Sequence, residues 1–205
     1  MYSAGVGEDI SFDLHLQSLY DCTILLIDPT IRAKIHFQEI LKYYSTNNWK
    51  FSGDIQKDYK KSIKALNVDF SKIKYIPFGI WDSIDELKFF KQKKQKNVSQ
   101  SLIKNMFSSD YDIIHTTTIK DLMAQENHHH IDLLKLDIEG AEVKVLNNML
   151  DSEIYPTYLC IEFDLMLKGK DLGEETVKTI SKLKKVGYKE LINDNLNITY
   201  FYQGK

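Results

Sequence analysis

Arginine is almost missing from this 205-residue sequence, with Arg32 the single example. Nucleic-acid surfaces combine arginine with interleaved aromatic side chains, so no such interface is expected. The formal net charge of −2 likewise excludes a chain that binds polyanions through its overall charge. Cysteine is scarce. Cys22 and Cys160 lie far apart, each beside or inside an apolar run, and read as buried free thiols of a reducing, cytoplasmic compartment. Long hydrophobic runs are also lacking: nothing approaches the roughly 20 apolar residues that span a bilayer. The opening residues 1–7 carry neither a basic start nor an apolar stretch, so no signal peptide is expected there.

What is present is an ordinary globular mixture, 43% hydrophobic and 27% charged, long enough for one domain over residues 1–205. Thr23-Ile24-Leu25-Leu26-Ile27-Asp28, Ile131-Asp132-Leu133-Leu134-Lys135-Leu136 and Tyr158-Leu159-Cys160-Ile161-Glu162-Phe163 are short, nearly continuous apolar runs. Such runs suit parallel strands covered on both faces. Helical stripes are expected between them: Phe12, Leu16 and Leu19; Val145, Leu146, Met149 and Leu150; and Val177, Ile180 and Leu183, the last stopped by Gly187. Alternating strands and helices predict an open α/β sheet with helices on both faces. Tyr188 to Ile192 and Asn197 to Tyr202, joined by Asn193-Asp194-Asn195, predict a closing antiparallel hairpin.

The middle of the chain breaks this rhythm. Between Lys57 and Lys104 lie twelve lysines against five acids. A lysine-rich insert around residues 82–104 follows the strand Lys74 to Phe78 and reads as a β-hairpin or lid. Its lysines either protect a sheet edge or meet an anionic acceptor or partner surface. His128-His129-His130 is not read as a metal cluster. Neighbouring side chains on an extended segment point to opposite faces, and these residues precede their strand rather than follow it.

Chemistry is expected at the opposite, carboxyl ends of the strands. Gly5-Val6-Gly7-Glu8-Asp9 precedes the first amphipathic helix, and Asp28 follows some twenty residues later, the position of an acid that grips ribose hydroxyls. A dinucleotide would set its pyrophosphate against that helix N-terminus, where Glu8 and Asp9 already place two carboxylates. S-adenosylmethionine has adenine and ribose, no phosphate, and cationic sulfonium and ammonium groups, and it suits these acids better. One or both acids would also complement the helix dipole. At the end of the central strand, Asp137 and Glu139 fall on one side by period-two alternation, before Gly140 and a further helix.

Leu134-Lys135-Leu136-Asp137-Ile138-Glu139-Gly140-Ala141-Glu142, followed by Val145-Leu146, resembles the hallmark of the FkbM-type methyltransferase family. Gly5 to Asp13, Asp28-Pro29-Thr30 and Ile161-Glu162-Phe163-Asp164 resemble its other motifs, in the family's order. The resemblance implies a Rossmann-like class I methyltransferase fold that uses S-adenosylmethionine, and O-methylation of a small-molecule or sugar hydroxyl. By position, Gly5, Val6, Gly7, Asp9, Asp28 and Pro29 would hold the cofactor, with Asp137 near its methionyl end. Gly79-Ile80-Trp81 follows the third strand, where adenine is sandwiched; Trp81 either stacks there or belongs to the core. The family carries more chain ahead of the first motif, so a barely sufficient first strand is expected. Asp137, Glu139 and, on the neighbouring strand, Glu162 are the candidates for accepting the hydroxyl proton. A divalent ion held by Asp137 with Glu162 or Asp164 is the metal alternative. The competing readings are a nucleotide-dependent Rossmann oxidoreductase or epimerase, and a degenerate module that binds S-adenosylmethionine without turnover.

Overall fold

In the computed structural model, residues 1–48, 50–53, 55–91, 100–101, 111–163 and 170–204 are described. In chain order the first half holds β1 (Tyr2–Ala4), α1 (Ser11–Tyr20), β2 (Ile24–Ile27), α2 (Ile31–Thr46), α3 (Tyr59–Ile63), β3 (Ile73–Ile76), β4 (Gly79–Ile80), β5 (Glu86–Lys91) and β6 (Gln100–Ser101). The second half holds β7 (Tyr111–Thr117), α4 (Ile119–Gln125), β8 (Leu133–Leu136), α5 (Glu142–Asp151), β9 (Tyr158–Glu162), α6 (Lys170–Val186), β10 (Tyr188–Asp194) and β11 (Asn197–Tyr202).

The apolar runs become the centre of a seven-stranded sheet in the order β10-β11-β9-β8-β1-β2-β3. β3, β2, β1, β8 and β9 are mutually parallel, and β11 enters antiparallel between β9 and β10. β2 is buried along its whole length, and its alternating side chains feed two cores. Leu25 and Ile27 join the core built with α4, α5 and α6, while Ile24 and Leu26 join the one built with α1, α2 and α3. This is a Rossmann-like sheet with helices on both faces and a C-terminal antiparallel hairpin. β1 has only three residues, yet it pairs on both sides, with Tyr2, Ser3 and Ala4 opposite Leu25, Leu26 and Ile27 and opposite Leu134, Lys135 and Leu136. Burial between two strands makes so short a strand sufficient.

Two helix faces differ from their expected stripes. On α1, Phe12 and Leu19 are exposed, and Asp13, Leu14 and Gln17 face inward. Apolar spacing misleads there because inward polar groups find partners: Gln17 Oε1 accepts from the Asp69 N–H at 2.8 Å. On α6, Val177 is exposed, and Thr176, Thr179 and Leu183 are buried with Ile180 partly covered. The α5 stripe is buried as read, and Gly187 follows α6 at φ +115°. Cys22 and Cys160 are free thiols, but half-buried rather than buried.

A smaller sheet, β4-β7-β5-β6, is built from the lysine-rich region and its flanks. β5 and β6 pair antiparallel through Phe90–Ser101 and Lys91–Gln100. Lys93, Lys94, Lys96 and Lys104 lie outside the described residues. The histidine run lies between α4 and β8, at the amino end of the strand. His128 Nδ1 is 2.9 Å from the Tyr2 hydroxyl and His130 Nε2 is 2.9 Å from Thr157 Oγ1. Among the described residues no helix is long and apolar enough to cross a membrane.

Candidate functional site

The parallel strands β1, β2 and β8 end side by side, and a cavity of about 390 Å³ opens over their carboxyl ends. That volume lies within the range of small-ligand sites. Its walls collect Gly5, Val6, Gly7, Asp9, Asp28, Pro29, Gly79, Ile80, Asp137 and Glu139, all singled out in the sequence. Trp81 and Glu162 are not on it. Trp81 instead has Lys144 Nζ 5.3 Å from its ring centroid, and its backbone N–H donates to Thr117 O at 2.9 Å. Glu162 lies on an adjoining cavity of about 100 Å³ with Cys160, Asn197 and Thr199. Lys135 and Asp137 line both cavities.

The first turn requires glycine. Gly5 has φ +78°, and a Cβ there would stand 1.7 Å from the Asp137 carbonyl oxygen. The backbones leaving β1 and β8 therefore touch, which brings Asp137 beside the glycine turn. Gly7 donates its N–H to Asp28 Oδ2 at 3.0 Å. The other oxygen of Asp28 takes the Thr30 N–H at 2.8 Å and the Thr30 hydroxyl at 2.6 Å. An ionised carboxylate offers about four acceptor sites, so Asp28 keeps room for one ribose hydroxyl rather than two. Burial pushes the Asp28 carboxyl up, and the hydrogen bonds from Thr30 and Gly7 pull it back. Thr30 also caps α2 by accepting from the Ala33 N–H, and Tyr75 donates its hydroxyl to Asp28 O at 2.6 Å. The acid is thus held from three elements.

The two acids beside the glycines part company. Glu8 is paired with Arg32 at 2.5 Å, so its charge is neutralised within the site. Asp9 Oδ1 accepts the Ser11 N–H at 2.8 Å, at the start of α1. The electrostatic argument against a pyrophosphate therefore rests on Asp9, which already occupies the helix N-terminus, and no longer on Glu8. The described lining residues include five acids (Glu8, Asp9, Asp28, Asp137 and Glu139) and two basic side chains, Arg32 and Lys135. Such a cavity favours a ligand of net positive charge.

The turn after β8 is shaped by Glu142, a residue with no expected role beyond the motif. Its Oε1 accepts the N–H groups of Ile138 at 3.1 Å and Gly140 at 3.0 Å, and the side chain is fully buried. Glu139, at φ +55°, occupies the left-handed region within that turn, so it and Asp137 both line the cavity. The far end of the cavity is apolar, formed by Pro29, Phe78, Gly79, Ile80, Phe89 and Ile114. Phe89 and Ile114 come from the smaller sheet and had no sequence signal, because only the fold brings that sheet to the strand ends. Phe78 stands where stacking by Trp81 was one of two expectations. Lys135 was also passed over: within a nearly continuous apolar run, its partners become visible only once the neighbouring strands are known. Among the described residues no group of three His, Cys, Asp or Glu is placed to hold a metal ion, and Asp164 lies outside them.

No curated protein and no solved structure matches the chain. The model of the methyltransferase FkbM domain, however, matches residues 17–190. The match spans most of the sheet described above, including β2, the Asp137 turn and β9, and the chain belongs to the FkbM methyltransferase family.

Proposed function

We propose that this methyltransferase uses S-adenosylmethionine to methylate a hydroxyl of a small molecule or sugar, in a reducing cytoplasm. The observation that carries the reading is the polarity of one cavity: an apolar slot at the Gly79 end, Asp28 midway, and acids at the Asp137 end. Adenine, ribose and a sulfonium with its ammonium group have that same order of character. When bound, the cofactor supplies a methyl group on a sulfonium leaving group.

The chain's own residues then have three tasks. The glycine turn lets the ligand approach the backbone, Asp28 accepts a ribose hydroxyl, and Asp9, Asp137 and Glu139 balance positive charge. Holding the acceptor oxygen in line, about 3 Å from the methyl carbon, supplies much of the rate. Asp137 or Glu139 accepts the hydroxyl proton, or orients the hydroxyl, from the rim shared with the smaller cavity. Glu162, across that smaller cavity, is the second candidate. Free Cys22 and Cys160 support the compartment.

The test uses single variants. Asp137→Asn or Glu139→Gln should lower turnover about 100-fold or more, the scale of a lost general base, measured as S-adenosylhomocysteine formed with a panel of sugar and small hydroxylated acceptors. Normal binding and normal turnover in both variants would sink the base role.

A further inference from the structure

We infer that Lys135 is the cofactor's carboxylate anchor, a role that rests on the S-adenosylmethionine reading above. S-adenosylmethionine brings two positive groups and one negative one. The positive groups find an excess of carboxylates in the cavity, but the negative one needs a cation there. Of the two basic side chains on the described lining, Arg32 is closed against Glu8 at 2.5 Å. Lys135 remains. Among the described residues its ammonium donates one hydrogen bond, a long one of 3.4 Å to Asp137 Oδ2, out of the three it can make.

The fold explains why a lysine is tolerated in the central strand of the sheet. Lys135 is flanked by Ser3 on β1 and Cys160 on β9, on the same face as α1. The buried carboxylate of Asp13, on α1, lies within electrostatic reach of it, as does that of Asp28. Asp137, with Oδ2 3.4 Å from the ammonium, completes the set, and Lys135 lines both cavities. Asp13 positions it; one oxygen of Asp13, fully buried, has no hydrogen-bond partner among the described residues.

The experiment compares ligands with and without the amino-acid group. By calorimetry, Lys135→Met should weaken S-adenosylhomocysteine about 10- to 100-fold, the range of a charge-assisted hydrogen bond. It should leave 5′-methylthioadenosine, which lacks the carboxylate, within about twofold of the parent chain. Lys135→Arg, which keeps the charge, should recover part of the loss. An equal loss for both ligands, or no loss for either, overturns the proposal. A change confined to the acceptor's KM overturns it too. If neither variant folds, decarboxylated S-adenosylmethionine is titrated into the unmodified protein, and affinity equal to that of S-adenosylmethionine overturns it. A parent chain that binds neither S-adenosylhomocysteine nor methylthioadenosine defeats the cofactor reading itself, which is a separate result.

Discussion

Gly5 and Glu142 show how single residues build the site without touching chemistry. Any Cβ at Gly5 meets the Asp137 carbonyl at 1.7 Å, and the backbone there is left-handed at φ +78°. Gly5→Ala should therefore cost about 2–4 kcal/mol of stability, the scale of backbone strain combined with overpacking, and weaken S-adenosylhomocysteine binding. Urea unfolding and calorimetry on the same sample check both. A variant as stable as its parent would mean that β1 and β8 separate easily. Glu142→Ala leaves the Ile138 and Gly140 N–H groups without their acceptor. At about 1–3 kcal/mol per unsatisfied buried group, it should destabilise by a few kcal/mol, and Glu142→Asp should recover little because the shorter side chain cannot reach.

At the scale of elements, the packing of α1 on the sheet and of α2 against α3 carries opposing acid responses. Burial raises the Asp13 carboxyl from 3.8 to about 6, although the Ser3 hydroxyl and Lys135 oppose it. The folded chain thus binds this proton more tightly than the unfolded chain. The stability it contributes is full below about pH 4 and is lost as pH rises through about 6. His36 on α2, 2.7 Å from the Tyr59 hydroxyl, behaves in the opposite sense. Burial lowers it from 6.5 to about 4, so its contribution is present above pH 6.5 and lost as pH falls toward 4. The two trends oppose each other between pH 4 and 6. Asp13→Asn removes one of them, so the variant should gain about 3 kcal/mol relative to the parent on going from pH 4 to pH 7.5. Urea titrations of both proteins at those pH values measure it. A variant-minus-parent difference that is the same at both would show that Asp13 keeps an ordinary pKa.

For the whole molecule, the site is a meeting of three strand ends, the start of α1 and the smaller sheet, so a ligand there ties several elements together. S-adenosylhomocysteine at 100 times its Kd should stabilise the fold by about 2.7 kcal/mol. For a chain of this length that is roughly 5–10 °C in Tm. NAD at the same concentration should leave Tm unchanged. Stabilisation by NAD and not by S-adenosylhomocysteine would return the dinucleotide reading.

Much of this molecule was legible in the chain. Runs such as Ile24 to Ile27, short and apolar throughout, suit strands buried on both faces, and β2 is buried along its whole length. The motif from Leu133 to Glu142 and the glycines at 5 and 7 likewise placed the strand ends where a ligand meets backbone. Contact between distant segments was not legible. Local spacing cannot say that Glu8 is neutralised by Arg32, that Asp13 turns inward within electrostatic reach of Lys135, or that Phe89 and Ile114 reach the apolar slot. Burial and electrostatics depend on what the fold sets beside a residue, so those partners, and the balance of charge they leave in the cavity, were decided by tertiary structure alone.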